Sequence, residues 1–116
     1  MAIRGLQGPF KLTAEAVNRA VTSKRLPGAY ALGHTDQEGT FVIEYIGRSN
    51  DNLRQQLDDL VVKFHGQFAF EYFSSARAAF EKECELFHAY LADGDAIHPT
   101  RPDGSYWKCP GCRALD

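Results

Sequence analysis

Residues 27–48 constrain the fold of this chain more than any other stretch. Pro27-Gly28-Ala29-Tyr30-Ala31-Leu32-Gly33-His34 and Thr40-Phe41-Val42-Ile43-Glu44-Tyr45-Ile46-Gly47-Arg48 are rich in apolar, aromatic and β-branched residues. Between them, Thr35-Asp36-Gln37-Glu38-Gly39 collects turn formers. The pattern predicts two strands joined as an antiparallel hairpin. With the turn centred between Gln37 and Glu38, Tyr30 faces Tyr45, Leu32 faces Ile43 and His34 faces Phe41 on one side of the sheet. Register matters here, because a slip of one residue sends one tyrosine to the opposite face.

The remaining segments read as helix, strand, helix and an irregular tail. Thr13 is positioned to cap a helix over residues 14–21, and Leu26-Pro27-Gly28 ends that approach and launches the first strand. Asn50 or Asp51 can cap the next helix, whose Leu53, Leu57, Leu60 and Val61 recur at helical spacing. Gln67-Phe68-Ala69-Phe70-Glu71-Tyr72-Phe73 alternates and is aromatic, so it is the third strand. Ser74 or Ser75 opens a long helix reaching residue 92, with Phe80, Cys84, Phe87 and Leu91 as its core stripe. The expected fold is α/β of the α+β kind, a small three-stranded, mainly antiparallel sheet flanked by helices. It forms one domain over residues 1–116, with a core at 26–92, an N-terminal helix at about 13–22 and an irregular tail at 93–116.

The order of these segments gives the hairpin a second meaning. Gly28-Ala29-Tyr30 and Tyr45-Ile46-Gly47 resemble the two signature segments of the GIY-YIG endonuclease superfamily, which lie on adjacent strands. Arg48-Ser49 followed by Asn52-Leu53-Arg54-Gln55-Gln56-Leu57 is similar to the family's first helix, and Ala79-Phe80-Glu81-Lys82-Glu83 to its alanine followed by a metal-binding glutamate. The resemblance runs from about residue 26 to about residue 88 in matching order. It implies divalent-metal-dependent hydrolysis of nucleic-acid phosphodiesters. Tyr30 and Tyr45 would stand around the attacking water and scissile phosphate, and Glu83 would bind Mg²⁺ or Mn²⁺.

Each of these residues also has a plainer reading. An opposed aromatic pair by itself adds only about 0.2–1 kcal/mol to a hairpin, and a tyrosine of ordinary pKa near 10 is a poor base at neutral pH. Glu81, Glu83 and Glu85 together look like a charged helix face. Glu83, however, lies at the border of the core stripe, about 75° from its centre at 100° per residue. A carboxylate there can hold a divalent cation through one oxygen while water and phosphate complete the shell, as Mg²⁺ prefers.

Two departures from the family pattern stand out. Gln56 occupies the position where the resemblance places an arginine, a loss of charge and of a bidentate phosphate donor. Arg54 is roughly 200° around the helix, so Arg48, beside Gly47, is the expected substitute cation. No asparagine follows Asn52, and His98 is the candidate polar replacement for the one the family carries downstream of its glutamate. These departures keep open an alternative, a catalytically impaired module that binds nucleic acid, a protein or a phosphorylated ligand.

Net charge is −2, which argues against a protein that grips nucleic acid over its whole surface. The charge is uneven: residues 1–35 hold Arg4, Lys11, Arg19, Lys24 and Arg25 against Glu15 alone. That imbalance suits either a local phosphate-binding patch or ordinary solvated helix faces. At 116 residues and 44% hydrophobic, the chain can bury a core without disulfides. No apolar run approaches the roughly 20 residues of a membrane span, Met1 to Gly8 lack the apolar region of a secretory signal, and three cysteines suit a reducing compartment. The expected location is cytoplasmic, with no membrane partner.

Cys109-Pro110-Gly111-Cys112 is the remaining chemical feature. Two thiols at this spacing supply half of a zinc site. His88 and His98 are candidates for the other half, and Cys84 is a weaker one because it belongs to the core stripe. The expectation is a turn with free thiols, anchored by Trp107, with zinc as the alternative.

Overall fold

The computed structural model describes residues 5–22, 26–91, 98–101 and 104–112. Seven elements follow one another: β1 (Gln7–Lys11), α1 (Ala14–Ala20), β2 (Gly28–Thr35), β3 (Phe41–Ser49), α2 (Leu53–Leu60), β4 (Gln67–Tyr72) and α3 (Ala76–Tyr90). All strand pairs are antiparallel, in the order β1-β4-β2-β3. The fold is α+β as expected, but the sheet has four strands rather than three. β1 escapes detection because Gly8-Pro9 interrupts its alternation and its register against β4 slips between Gln7 and Phe10. Pro9 has no N–H to donate, which an edge strand tolerates.

Local signals set most boundaries. The Thr13 hydroxyl accepts from the Ala16 N–H and starts α1, and the Ser75 hydroxyl accepts from the Ala78 N–H and starts α3. At α2 the cap is Asn52, not Asn50 or Asp51. Its side chain accepts from the Gln55 N–H at 3.1 Å, while Ser49 Oγ accepts from the N–H of Asn52 at 2.9 Å. Pairing of β3 continues to Ser49, so the helix can begin only after these two linked caps.

The two faces of the sheet are packed differently. Tyr30, Leu32, Phe68 and Phe70 project toward α1 and α2 and enclose Val17, Val21, Leu53 and Leu57. Ala29, Ala31 and Ala69 lie on the other face, where Ile46 and Leu86 of α3 join them. Aromatic residues on one side and alanines on the other let α3 settle close to the strands while the thicker layer fills the opposite space. No helix among the described residues is long and apolar enough to cross a membrane.

The hairpin register differs from expectation. Asp36 closes the turn, its carboxylate accepting from the N–H groups of Glu38 and Thr40 at 2.9 and 3.0 Å. Thr35 therefore pairs with Phe41 and His34 with Val42, one residue from the expected alignment. An irregularity between Leu32 and Gly33 then leaves Glu44 without an opposite number, so that Leu32 opposes Tyr45 and Tyr30 opposes Gly47. Two single-residue shifts add to two, and an even shift preserves the side of the sheet. Tyr30 and Tyr45 thus share a face diagonally, with ring centroids 6.2 Å apart.

Gly47 is the residue this register depends on. A Cβ at position 47 would sit 2.4 Å from the Tyr30 hydroxyl oxygen and 2.6 Å from its ring carbon. The tyrosine crosses the edge strand only because nothing projects there. Gly47→Ala is expected to destabilise the protein by about 1–3 kcal/mol through overpacking, read as a lower urea midpoint with unchanged slope.

Candidate functional site

Because β3 lies at the sheet edge, its two sets of alternating side chains meet around one rim. Ile46 and Arg48 face α3, while Tyr45 belongs to the opposite face and is half exposed. Between β3, α3 and residues 98–100 opens a cleft of about 590 Å³, lined by Tyr45, Arg48, Glu83, Phe87, His98 and Thr100 together with neighbouring residues.

Arg48 and Glu83 form the floor of this cleft. Nη1 of Arg48 donates to Oε1 of Glu83 at 2.5 Å, and both side chains are nearly buried, at 12% and 11% exposure. Nη2 donates to the Thr100 carbonyl at 2.7 Å, Nε donates to Asn50 Oδ1 at 2.9 Å, and the guanidinium lies over the Phe80 ring at 5.0 Å. Three of the five guanidinium N–H groups are thereby engaged among the described residues. Glu83 is more buried than the border position expected from the helix stripe. Its neighbours keep the outward face: Glu81 pairs with Arg77 and Glu85 with Lys82. Burial pushes the Glu83 carboxyl above its usual range, and the hydrogen bond and charge of Arg48 oppose that rise.

Tyr30 is placed behind the cleft rather than in its wall. It is 1% exposed, and its hydroxyl accepts from Gln56 Nε2 at 3.3 Å and is hydrogen-bonded to Tyr45. Burial, together with Tyr45 and the negative charge of Glu83, raises the phenol well above its ordinary pKa, against a smaller lowering by Gln56. Tyr30 is therefore a neutral phenol whose hydroxyl links Gln56 to Tyr45. Of the two phenols expected around a water and a phosphate, Tyr45 lines the cleft and Tyr30 lies buried behind it.

Gln56 thus has a definite task, holding the Tyr30 hydroxyl, in the position where the resemblance expects an arginine. Arg54 turns away and donates to Asn18 on α1, as its place on the helix requires. Of the basic N-terminal residues, Arg19 pairs with Glu15 at 2.7 Å, whereas Arg4, Lys24 and Arg25 lie outside the described residues. Thr100 was invisible to sequence reasoning, since a backbone carbonyl 52 residues from Arg48 carries no side-chain signal.

A second cluster adjoins the first. His88, His98, Cys109 and Cys112 bring one ligand atom each to within 4.8 Å of one another and could together hold a metal ion. His98 does not act as a free polar contact in the cleft. Its Nδ1 lies 2.7 Å from the Pro99 carbonyl and its Nε2 3.3 Å from Cys112 Sγ. Burial acts to raise the Cys109 thiol, but the Gly111 N–H and the side chains of His98, Cys84 and Cys112 bring it down to about 6. Trp107 anchors the tail, packing on Phe80 at 5.6 Å between ring centroids.

Comparison with protein-family models, with curated proteins and with solved structures finds no match to this chain in any of the three.

The ion pair makes a testable demand on stability. Arg48→Ala would strand a buried carboxylate and is expected to cost about 3–5 kcal/mol, whereas Glu83→Gln, which keeps an acceptor for Arg48, should cost less. An acid whose pKa is raised by folding binds more protons in the folded than in the unfolded chain, so its ionisation lowers stability as pH rises through the window above 4.5. Urea unfolding across that window should show wild type losing stability relative to Glu83→Gln. A parallel pair of curves would contradict the burial argument.

Proposed function

We propose that this chain is a GIY-YIG-like domain whose cleft binds a nucleic-acid phosphodiester and hydrolyses it with a divalent cation. The observation that carries the reading is the meeting, at one sheet edge, of Tyr45, Arg48 and Glu83 with Tyr30 directly behind, from segments whose order matches the family pattern. Arg48 supplies the positive charge. Its two remaining N–H groups can bind a phosphate oxygen without surrendering Glu83, and a fixed guanidinium stabilises the charge that builds on phosphorus oxygens during displacement.

The half-exposed Tyr45 phenol is the group that can orient a water against the phosphate. Its own position is held by the Tyr30 hydroxyl, which Gln56 in turn fixes. Tyr30 is a positioning residue in this scheme, because a buried phenol with a raised pKa holds its proton and serves as a donor rather than a base.

The donor set suits Mg²⁺ or Mn²⁺ in a limited way. Glu83 offers one hard carboxylate whose Oε1 is taken by Arg48, so the second oxygen is the one that would hold the ion, with waters and substrate filling the rest. When bound, such an ion polarises a phosphate oxygen and acidifies water.

The Arg48–Glu83 pair also favours a second reading, a module that binds a phosphorylated ligand without turnover. A carboxylate already neutralised by a guanidinium has less to offer a cation than an unpaired one.

Nicking of supercoiled DNA and cleavage of structured RNA, with Mg²⁺ or Mn²⁺, separate the two. Hydrolysis is expected, reduced about 10²–10³-fold by Arg48→Lys or Tyr45→Phe and abolished by Glu83→Gln, with each variant folded by circular dichroism. Retained binding with no cleavage by wild type at any metal concentration would select the binding module.

A further inference from the structure

His88, on the last turns of α3, His98, in the segment that walls the cleft, and the Cys109 and Cys112 thiols come from three separate stretches of chain. We propose that they form a structural Zn²⁺ site that clamps the C-terminal segment onto α3. This inference does not depend on the nuclease reading.

Five features of the cluster point to a metal. The donor set is two sulfurs and two imidazoles, the combination that suits tetrahedral zinc and excludes the hard cations bound by carboxylates. With Zn–S of about 2.3 Å and Zn–N of about 2.0 Å, a tetrahedron has edges of about 3.3–3.8 Å. The four atoms already lie within 4.8 Å of one another, so no edge need shorten by more than about 1.5 Å around an ion.

His98 is oriented for the task. The short contact of its Nδ1 with the Pro99 carbonyl requires Nδ1 to carry the proton, which leaves the Nε2 lone pair directed at Cys112 Sγ. A ligating histidine is held this way by a carbonyl partner on its other nitrogen.

His88 supplies the independent observation. Its Nε2 is buried with no hydrogen-bond partner among the described residues, a state that costs free energy unless something compensates it. The imidazole packs edge-on to Phe87 and lies 5.4 Å from the His98 ring, centroid to centroid.

The turn between the thiols is shaped around the same ring. A Cβ at Gly111 would lie 2.6 Å from His88 Cδ2, so glycine there is what lets the turn close onto the imidazole. The Gly111 N–H donates to Cys109 Sγ at 3.4 Å, a contact that stabilises a thiolate.

Zinc binding would release the thiol protons and add its free energy to the folding of a segment with no helix or strand among its described residues. Its location gives it a consequence. His98 is two residues from Thr100, whose carbonyl receives Arg48, so the clamp would fix the wall of the cleft from behind.

The test uses the full chain, purified in reductant without added metal. About one zinc per chain is expected by elemental analysis, in keeping with a single four-ligand site. Replacing it with Co²⁺ should give the intense visible bands of tetrahedral cobalt and a near-ultraviolet thiolate charge-transfer band. Cys109→Ser/Cys112→Ser should abolish both. His88→Ala should lower Co²⁺ affinity by more than the roughly 10–100-fold typical of an outer-shell partner. Should a variant fail to fold, thiol labelling of wild type decides: Cys109 and Cys112 react slowly with metal bound and quickly after chelation. Metal-free protein that binds no Co²⁺ under reducing conditions, iron in place of zinc, or a cobalt spectrum unchanged in the cysteine variant would overturn the proposal.

Discussion

The Arg48 guanidinium joins an edge strand, a helix 35 residues away and a tail carbonyl 52 residues away. Placing a cation at a sheet edge under a helix is costly unless its hydrogen bonds are met, and here Glu83, Thr100 and Asn50 meet them while Phe80 covers its face. The cleft exists because these partners converge. Without Glu83 the guanidinium would have no reason to lie between β3 and α3, and without Thr100 the outer wall would lose its contact with the floor.

Such an arrangement places opposing demands on the same two residues. A carboxylate held by a guanidinium in a partly dry site is a strong internal contact, yet the proposed reaction needs Glu83 to attract a cation and Arg48 to attract a phosphate. The two N–H groups of Arg48 that are uncommitted among the described residues and the second oxygen of Glu83 would serve the proposed reaction without breaking the pair. Gln56 contributes no charge, but by holding Tyr30 it fixes the one phenol that reaches the cleft. Gln56 stands where the resemblance places an arginine, and in this fold its amide holds the Tyr30 hydroxyl.

Much of the architecture is written locally. Thr13 and Ser75 cap the helices that follow them, Asp36 closes the hairpin turn, and the stripe Phe80, Cys84, Phe87 faces inward as its spacing dictates. β1 is the exception, since Gly8-Pro9 erases the alternation that would have announced it, and only pairing with β4 makes that segment a strand. The hairpin register failed for a related reason. The turn and the irregularity beside Gly33 each shift the register by one residue, which turn composition alone cannot count, though parity kept both tyrosines on one side.

The amino-acid sequence by itself determined most of the element types and the starts of α1 and α3, because these follow from interactions between residues a few positions apart. Tertiary structure alone decided that Tyr30 is buried behind Gly47, that Arg48 and Glu83 are a pair, and that His88 and His98 meet Cys109 and Cys112. Each of those facts depends on how far a side chain reaches after two distant segments have packed. Periodicity records which face a residue occupies, and carries no information about what stands across from it.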